Sequence, residues 1–513
     1  MWSHERHTVN PGKTLCDGTH PAGRRRAPLR ARGSRERDRH GHTLAAHTFV
    51  SPRAQPGRRP YSRQVQISSP DRLGNAAASA PTTALRPPSS PSRSRKVPAW
   101  ACGLALAIPL SIAYLIVAPP SGDLAAATYR SDLFARAGFT IWDNGWYAGH
   151  ALPAYSLLAP ALGAWLGVRI LLALSAFAAA AMFGLLAQRA LPPSSARAAT
   201  LAFAFGFCAE LPSGRVPYDL GIAIALAAAL AIGQRVSRRR WVLALTAAVV
   251  LSIVTAAASP VAGAFLALAG VAVALSARGG GPMESTGRRR SSAPSILAAL
   301  AALASILLLA IAFPEGGYEP FAGGAFWPEL LAAIAIAALL PLGDLGPAGR
   351  RTLRIAACLY GLALTLSFAI HTPMGGNVVR LGAMFGPPIL IGTLWSGAGV
   401  SIGRRANAGR LVLVALAPLL LYWQLATAID DQVALAGDPT VHASFYAPLR
   451  AELLRLSGGA GGHRAGRRPI RVEVPMTNAI GNPCTSRAAR SRSPEAGSAS
   501  STPAMTPSFT AAS

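Results

Sequence analysis

Long apolar runs recur through the middle of this chain and restrict it to one kind of fold. They cover 99–118, 153–167, 169–187, 198–211, 218–233, 241–258, 260–276, 294–313, 328–343, 353–370, 381–398 and 409–426. Crossing a bilayer as a helix takes about 20 apolar residues, and backbone in lipid must satisfy its own hydrogen bonds. The expected fold is therefore an all-α polytopic membrane protein. Hydrophobic residues make up 51% of the chain and charged residues 14%, against about 25% charge in soluble domains.

The arginines order the runs. Cytoplasmic loops carry the excess of Lys and Arg. If all twelve runs cross, the loop Gln234–Arg240 falls outside. If 153–167 does not cross fully, the basic stretches Arg189–Arg197, Arg235–Arg240, Arg288–Arg290, Arg350–Arg354 and Arg404–Arg410 all fall inside. That run is short, contains Pro160 and breaks at Gly167, which suits a re-entrant or interfacial segment. The pattern predicts about eleven transmembrane helices plus this segment, with the N-terminus cytoplasmic and the C-terminus extracytoplasmic.

Flanking regions differ in kind. Residues 1–96 hold 19 Lys+Arg against 5 Asp+Glu, half of the net charge of +28. They are rich in Arg, Pro, Ser and His without hydrophobic periodicity, and read as a disordered basic tail or as a start assigned too far upstream, the protein then beginning near Ser92. No nucleic-acid fold signature accompanies the charge, so no nucleic-acid partner is expected. The polytopic domain spans 97–426. Beyond it, Val433–Leu456 reads as a surface helix and Ile470–Met476 as a strand, a small extracytoplasmic α/β remnant over 427–476. After Thr477 the composition shifts to Ser, Arg, Ala and Pro with no partner strand in view. Residues 477–513 read as a disordered tail or an out-of-frame one.

Chemistry concentrates on the predicted outer side. The loop 119–152 carries Asp123, Arg130, Asp132, Trp142, Asp143, Asn144, Trp146, Tyr147 and His150, with Tyr155 just beyond it. Ionisable groups at a membrane are costly and mark functional sites by default. Asp123 could serve as a general base toward an acceptor hydroxyl, or simply cap the helix that follows. Asp132 and Arg136, spaced i,i+4, suit a helix-surface ion pair. Arg130 suits a phosphate or a lipid headgroup. Trp142, Trp146, Tyr147 and Tyr155 fit an interfacial belt, yet their mixing with Asp143, Asn144 and His150 points to a sugar-stacking platform. The other predicted outer loops and their edges add Arg215, Tyr218, Asp219, Glu315, Tyr318, Glu319 and Trp327. A further cluster, His371 to Arg380 with Asn377, places an amide and a guanidinium at a helix start, which suits an anion or a plain helix cap.

Other chemistries lack a signal. Cys16, Cys102, Cys208, Cys358 and Cys484 show no ligand spacing, and there is no Walker A loop, GxSxG or HExxH. No cofactor is expected, although a divalent metal bridging Asp123 and another loop carboxylate is left open.

With these residues on the page, the chain resembles the C-type (GT-C) superfamily of integral membrane glycosyltransferases. The match is a first crossing, a long outer loop with an early acidic residue, an amphipathic segment, aromatics, then many crossings with outer basic residues. More narrowly, Asp123…Tyr129-Arg130…Gly138-Phe139…Trp142-Asp143-Asn144-Gly145-Trp146-Tyr147…Gly149-His150…Pro153…Tyr155-Ser156 and Tyr446-Ala-Pro-Leu…Arg471-Val-Glu-Val-Pro475 resemble a group of actinobacterial polytopic membrane proteins. The resemblance implies a polyprenyl-phosphate sugar as donor. It also implies Asp123, or less well Asp132 or Asp143, as base, and Arg380 or Arg215 as the contact to the lipid phosphate. Membrane lipids and a lipid-linked sugar are then the expected partners. A transporter or lipid-handling protein, and a non-catalytic envelope scaffold, are the competing readings.

Overall fold

The computed structural model describes residues 97–144, 149–232, 238–277, 285–314, 319–340, 345–395, 404–456, 472–473 and 507–508. The 1–96 tail, Trp146, Tyr147, Glu315 and Tyr318 lie outside them. The described part is helical almost throughout: α1 Ala99–Val117, α2 Leu124–Ala137, α3 Ala159–Leu166, α4 Val168–Ala190, α5 Pro193–Glu210, α6 Val216–Ile232, α7 Arg238–Ala258, α8 Pro260–Ala277, α9 Ser285–Ala312, α10 Gly323–Leu339, α11 Pro347–Ala369, α12 Val379–Leu394, α13 Arg404–Leu435 and α14 Ala447–Leu456.

Eight helices are long and apolar enough to cross a membrane, and α6 and α10 are shorter apolar ones. Their outward faces carry Ile108, Ile112, Ile116, Leu307, Leu308, Ile311, Leu411 and Val414, all exposed. Water does not tolerate apolar patches of that extent, whereas hydrocarbon covers them at no cost. The chain is a multi-pass membrane protein of all-α architecture. Inside, contacts run through small residues, because helices in lipid associate by close packing. Ala107, Ala176, Ala179, Ala180 and Ala204 are fully buried. A Cβ on Gly184 would lie 2.7 Å from the Trp100 amide nitrogen, so α1 and α4 meet backbone to backbone there.

Contacts sort the helix ends into two sets. One set holds Ala99 against Ala187 and Ala196, Arg189 donating to the Leu230 carbonyl, Thr352 donating to Ser276, and Ser195 donating to the Trp395 carbonyl. The other holds Arg169 donating to the Ala118 and Pro119 carbonyls, the Asp123–Arg215–Asp431 contacts, and the Glu319 amide donating to the Thr372 carbonyl. The loops expected outside thus share one end.

Segment 153–167 yields only a short turn and the eight-residue α3, about 12 Å long and too short to cross. It packs on α2, where Gly163 leaves room for the Ser131 hydroxyl, and the Leu157 amide donates to the Ala257 carbonyl at 2.8 Å.

Two expectations need correction. The surface helix expected over 433–456 is divided. α13 continues unbroken to Leu435, two tight turns follow, and only Ala447–Leu456 forms α14. At 32 residues α13 is about 48 Å long, well over the hydrocarbon thickness, so it carries Asp431 and Gln432 beyond the apolar zone. The expected strand is Val472–Glu473, and it has a partner. It pairs in parallel with Pro507–Ser508, from the segment read as tail. Two residues a side do not make a domain.

Candidate functional site

Arg215 is the centre of the end that gathers the loops expected outside. The chain reaches it through a tight turn at Leu211–Ser213 and Gly214, whose φ of +75° is a left-handed conformation that favours glycine. A Cβ at Gly214 would lie 2.6 Å from the Leu124 amide nitrogen. Glycine therefore lets the 211–215 turn press against the start of α2, bringing Arg215 to Asp123.

Three carboxylates converge on this guanidinium. Nη1 donates to Glu210 Oε2 at 2.8 Å, Nη2 to Asp431 Oδ2 at 3.0 Å and Nε to Asp123 Oδ2 at 3.3 Å. Ser213 Oγ also donates to Asp431 Oδ2 at 2.6 Å, and Gln432 donates to the Pro120 and Pro212 carbonyls. Burial works against the charge of Arg215, but Glu210, Asp123 and Asp431 outweigh it and hold the pKa above the ordinary arginine value. Asp123 sits at the N-cap position of α2 without capping it. Ser121 Oγ takes the Leu124 amide instead, at 3.4 Å. The carboxylate is thus engaged by Arg215 through Oδ2 alone, and its side chain is 37% exposed.

Arg380 differs from Arg215. It lies in the first turn of α12, after the Gly375–Val378 turn that contains Asn377. Its guanidinium stacks 5.4 Å from the Tyr218 ring centroid, and the Tyr218 hydroxyl donates to its carbonyl at 3.4 Å. Among the described residues that guanidinium has neither an ion-pair partner nor a hydrogen-bond acceptor. With Glu210, Tyr218, Gln424 and Thr427 it lines a cavity of about 10 Å³, the size of one water. A wider groove of about 360 Å³ opens at the start of α2, lined by Pro120, Ser121, Leu124, Thr128, Val168 and Arg169.

A second cluster surrounds α2. Trp142–Asp143 and His150–Ala151 form a short antiparallel pair with Asp143 opposite His150. Both are buried, and the Tyr129 hydroxyl bonds to Asp143. Burial first, then the Asp143 charge, pushes the Tyr129 phenol above its ordinary value. Arg130, 9% exposed, places Nη2 3.5 Å from His150 Nε2 and its guanidinium carbon 4.1 Å from the Tyr155 ring centroid. Trp142 is exposed, and its indole donates to Asn144 Oδ1 at 2.8 Å. Tyr155 lies between the two clusters, in the field of Asp123, Arg130, Arg380 and Arg215.

Not every expected residue joins. Asp132, half-buried on α2, belongs to neither cluster, and among the described residues it forms no ion pair with Arg136. Asp143 serves the hairpin rather than Arg215. His371 is exposed on the approach to α12. Among the described residues no trio of His, Cys, Asp or Glu is placed to hold a metal, and Asp123 faces a guanidinium where a metal bridge was left open.

Comparison with known proteins adds no name. No family model matches the chain, and no curated protein or solved structure is similar to it.

Three functional side chains were missed in the sequence. Glu210 ends an apolar run and Asp431 follows one, so each looked like a boundary residue. The third, Glu329, sits within α10, 6% exposed, taking hydrogen bonds from Tyr360 of α11 at 3.0 Å and from the Trp423 indole of α13. The Gly382 amide of α12 donates to the same Tyr360 hydroxyl at 3.2 Å. A lone acid inside an apolar run was the available signal. Asp219 was noted as an outer-edge residue. It is 1% exposed, and neither carboxylate oxygen has a hydrogen-bond partner among the described residues.

Proposed function

We propose that this is an integral membrane glycosyltransferase of C-type architecture, which transfers a sugar from a polyprenyl-phosphate donor to a cell-envelope glycan or lipid. In this reading α1 and α4 to α13 are eleven crossings of the plasma membrane, the N-terminus is cytoplasmic, and the Arg215 end faces outward. The observation that carries it is the Arg380 guanidinium, which among the described residues has no ion-pair or hydrogen-bond partner and lies near a network in which Arg215 is held by three carboxylates. Each Arg215 nitrogen already donates to a carboxylate, and three acids around one guanidinium repel a further anion. Arg380 carries no such acids, and a guanidinium fork matches phosphate oxygens.

Asp123 is the general base. Its Oδ2 is held by Arg215, and the side chain, 37% exposed, keeps Oδ1 for an acceptor hydroxyl. The acceptor oxygen bonds to the sugar's anomeric carbon as the bond from that carbon to the phosphate oxygen breaks. The hydroxyl proton goes to Asp123, and the departing polyprenyl phosphate takes the electron pair, its charge met by Arg380. The groove at the start of α2 is the entry for a lipid-borne sugar, and Trp142 forms part of the sugar platform.

The test is mass spectrometry of envelope glycans and lipid-linked sugars in cells lacking the protein, complemented with wild type or Asp123→Asn. Truncated glycan with accumulated donor, rescued by wild type alone, is expected. Full rescue by Asp123→Asn would remove the base. A proton-coupled transporter is the second reading, favoured by Asp219 and Glu329, two carboxyls buried within apolar helices. Unchanged glycans and donor in the deletion would turn the assignment to it.

A further inference from the structure

Arg130 is a buried cation that has no counter-ion among the described residues. It is 9% exposed, its Nε is enclosed with no partner, and one nitrogen, Nη2, reaches only His150 Nε2 at 3.5 Å. The remaining neighbour is the Tyr155 ring. Nearby acids are committed elsewhere, Asp143 to Tyr129 and Asp123 to Arg215. An arginine cannot escape burial by losing its proton, so charged side chains in such places are normally paired. With the guanidinium donating, His150 Nε2 accepts and supplies no charge.

A pocket adjoins it. Arg130, Thr140 and Ser156 supply polar atoms among Phe134, Leu152 and Pro160 around about 20 Å³, room for the end of a ligand and not for a sugar ring. Tyr155, stacked on Arg130, also feels the charges of Asp123 and Arg380.

We infer that Arg130 is a second anion site, for a carboxylate or phosphate oxyanion borne by the acceptor. Donor phosphate at Arg380 and acceptor oxyanion at Arg130 then share the neighbourhood of Tyr155, whose ring stacks on Arg130 and feels the charges of Arg380 and Asp123. The assignment to the acceptor rests on the transferase reading, whereas the anion site does not and is measured by binding alone.

The experiment uses the purified full chain in phosphatidylcholine nanodiscs, with Arg380→Gln as background so that the donor contact is silent. Inorganic phosphate is expected to raise the melting temperature by several degrees, and adding Arg130→Gln to abolish the rise. In wild-type chain, phosphate should slow amide exchange across 138–156 by severalfold, a readout that survives if the Arg130 variant fails to fold. Stabilisation by phosphatidylglycerol in the disc with none from phosphate would place a lipid headgroup at Arg130 and overturn the acceptor assignment. A phosphate effect indifferent to Arg130, or unchanged exchange, would overturn the site itself.

Discussion

Replacing Arg215 by Gln tests the centre of the carboxylate network. The guanidinium and Glu210 are 9% and 12% exposed and 2.8 Å apart, and removing one partner of a buried pair costs about 3–5 kcal/mol. Asp431 is 25% exposed and keeps the Ser213 hydroxyl, so its loss is about 1–2 kcal/mol. Asp123 is 37% exposed and screened, which leaves it below about 1 kcal/mol. Together these give about 5 kcal/mol, most of it from Glu210 left buried without its cation. The assay is equilibrium unfolding in mixed micelles titrated with sodium dodecyl sulfate, followed by circular dichroism. Adding Glu210→Gln should return about 1–3 kcal/mol, because the orphaned charge goes with it. A cost under about 1 kcal/mol, or no rescue by Glu210→Gln, would refute an organising role for the pair.

Other substitutions probe other buried groups. Asp219→Asn should stabilise by about 1 kcal/mol or more, since among the described residues both oxygens of the buried carboxyl lack partners. Destabilisation in the same micelle titration would show instead that the carboxylate is held by the field of Arg215 and Arg380. Gly382→Ala should cost about 1–3 kcal/mol, because its Cβ would press on Glu329, Tyr360 and Trp423, and a neutral result would show that the four-helix junction yields. Tyr129→Phe should cost about 1 kcal/mol through the lost bond to Asp143. Its phenol is held above the ordinary value of 10.0 in the fold, so its stabilisation is complete below pH 10 and falls as pH rises beyond it. Spectrophotometric titration near 295 nm should show one late phenol fewer in the variant than in wild type.

The crossing helices were legible in the sequence because hydrocarbon imposes its demand locally, on each run of about 20 residues. The arginine distribution picked out 153–167 as the run that does not span, and α3 is indeed too short. Exact helix ends were less readable. Nothing in composition says that α13 continues nine residues past its apolar run at 426, since Asp430, Asp431 and Gln432 are polar yet compatible with a helix. Loop 119–152 was legible as a cluster of ionisable groups, but which of its acids meets an arginine from another segment was not. Asp123, Asp132 and Asp143 look alike in sequence.

Tertiary structure decided between them by distance. Residues 92 and 216 positions away from Arg215 meet it at 3.3 and 3.0 Å, and the Gly214 turn sets the approach. It also told the arginines apart: Arg215 is held by three carboxylates, whereas among the described residues Arg380 and the buried Arg130 have none. Sequence alone determined that the chain crosses a membrane, because solvation acts on each segment by itself. Only the fold determined which charges face one another, because ion pairing acts over a few ångströms between segments that the chain keeps far apart.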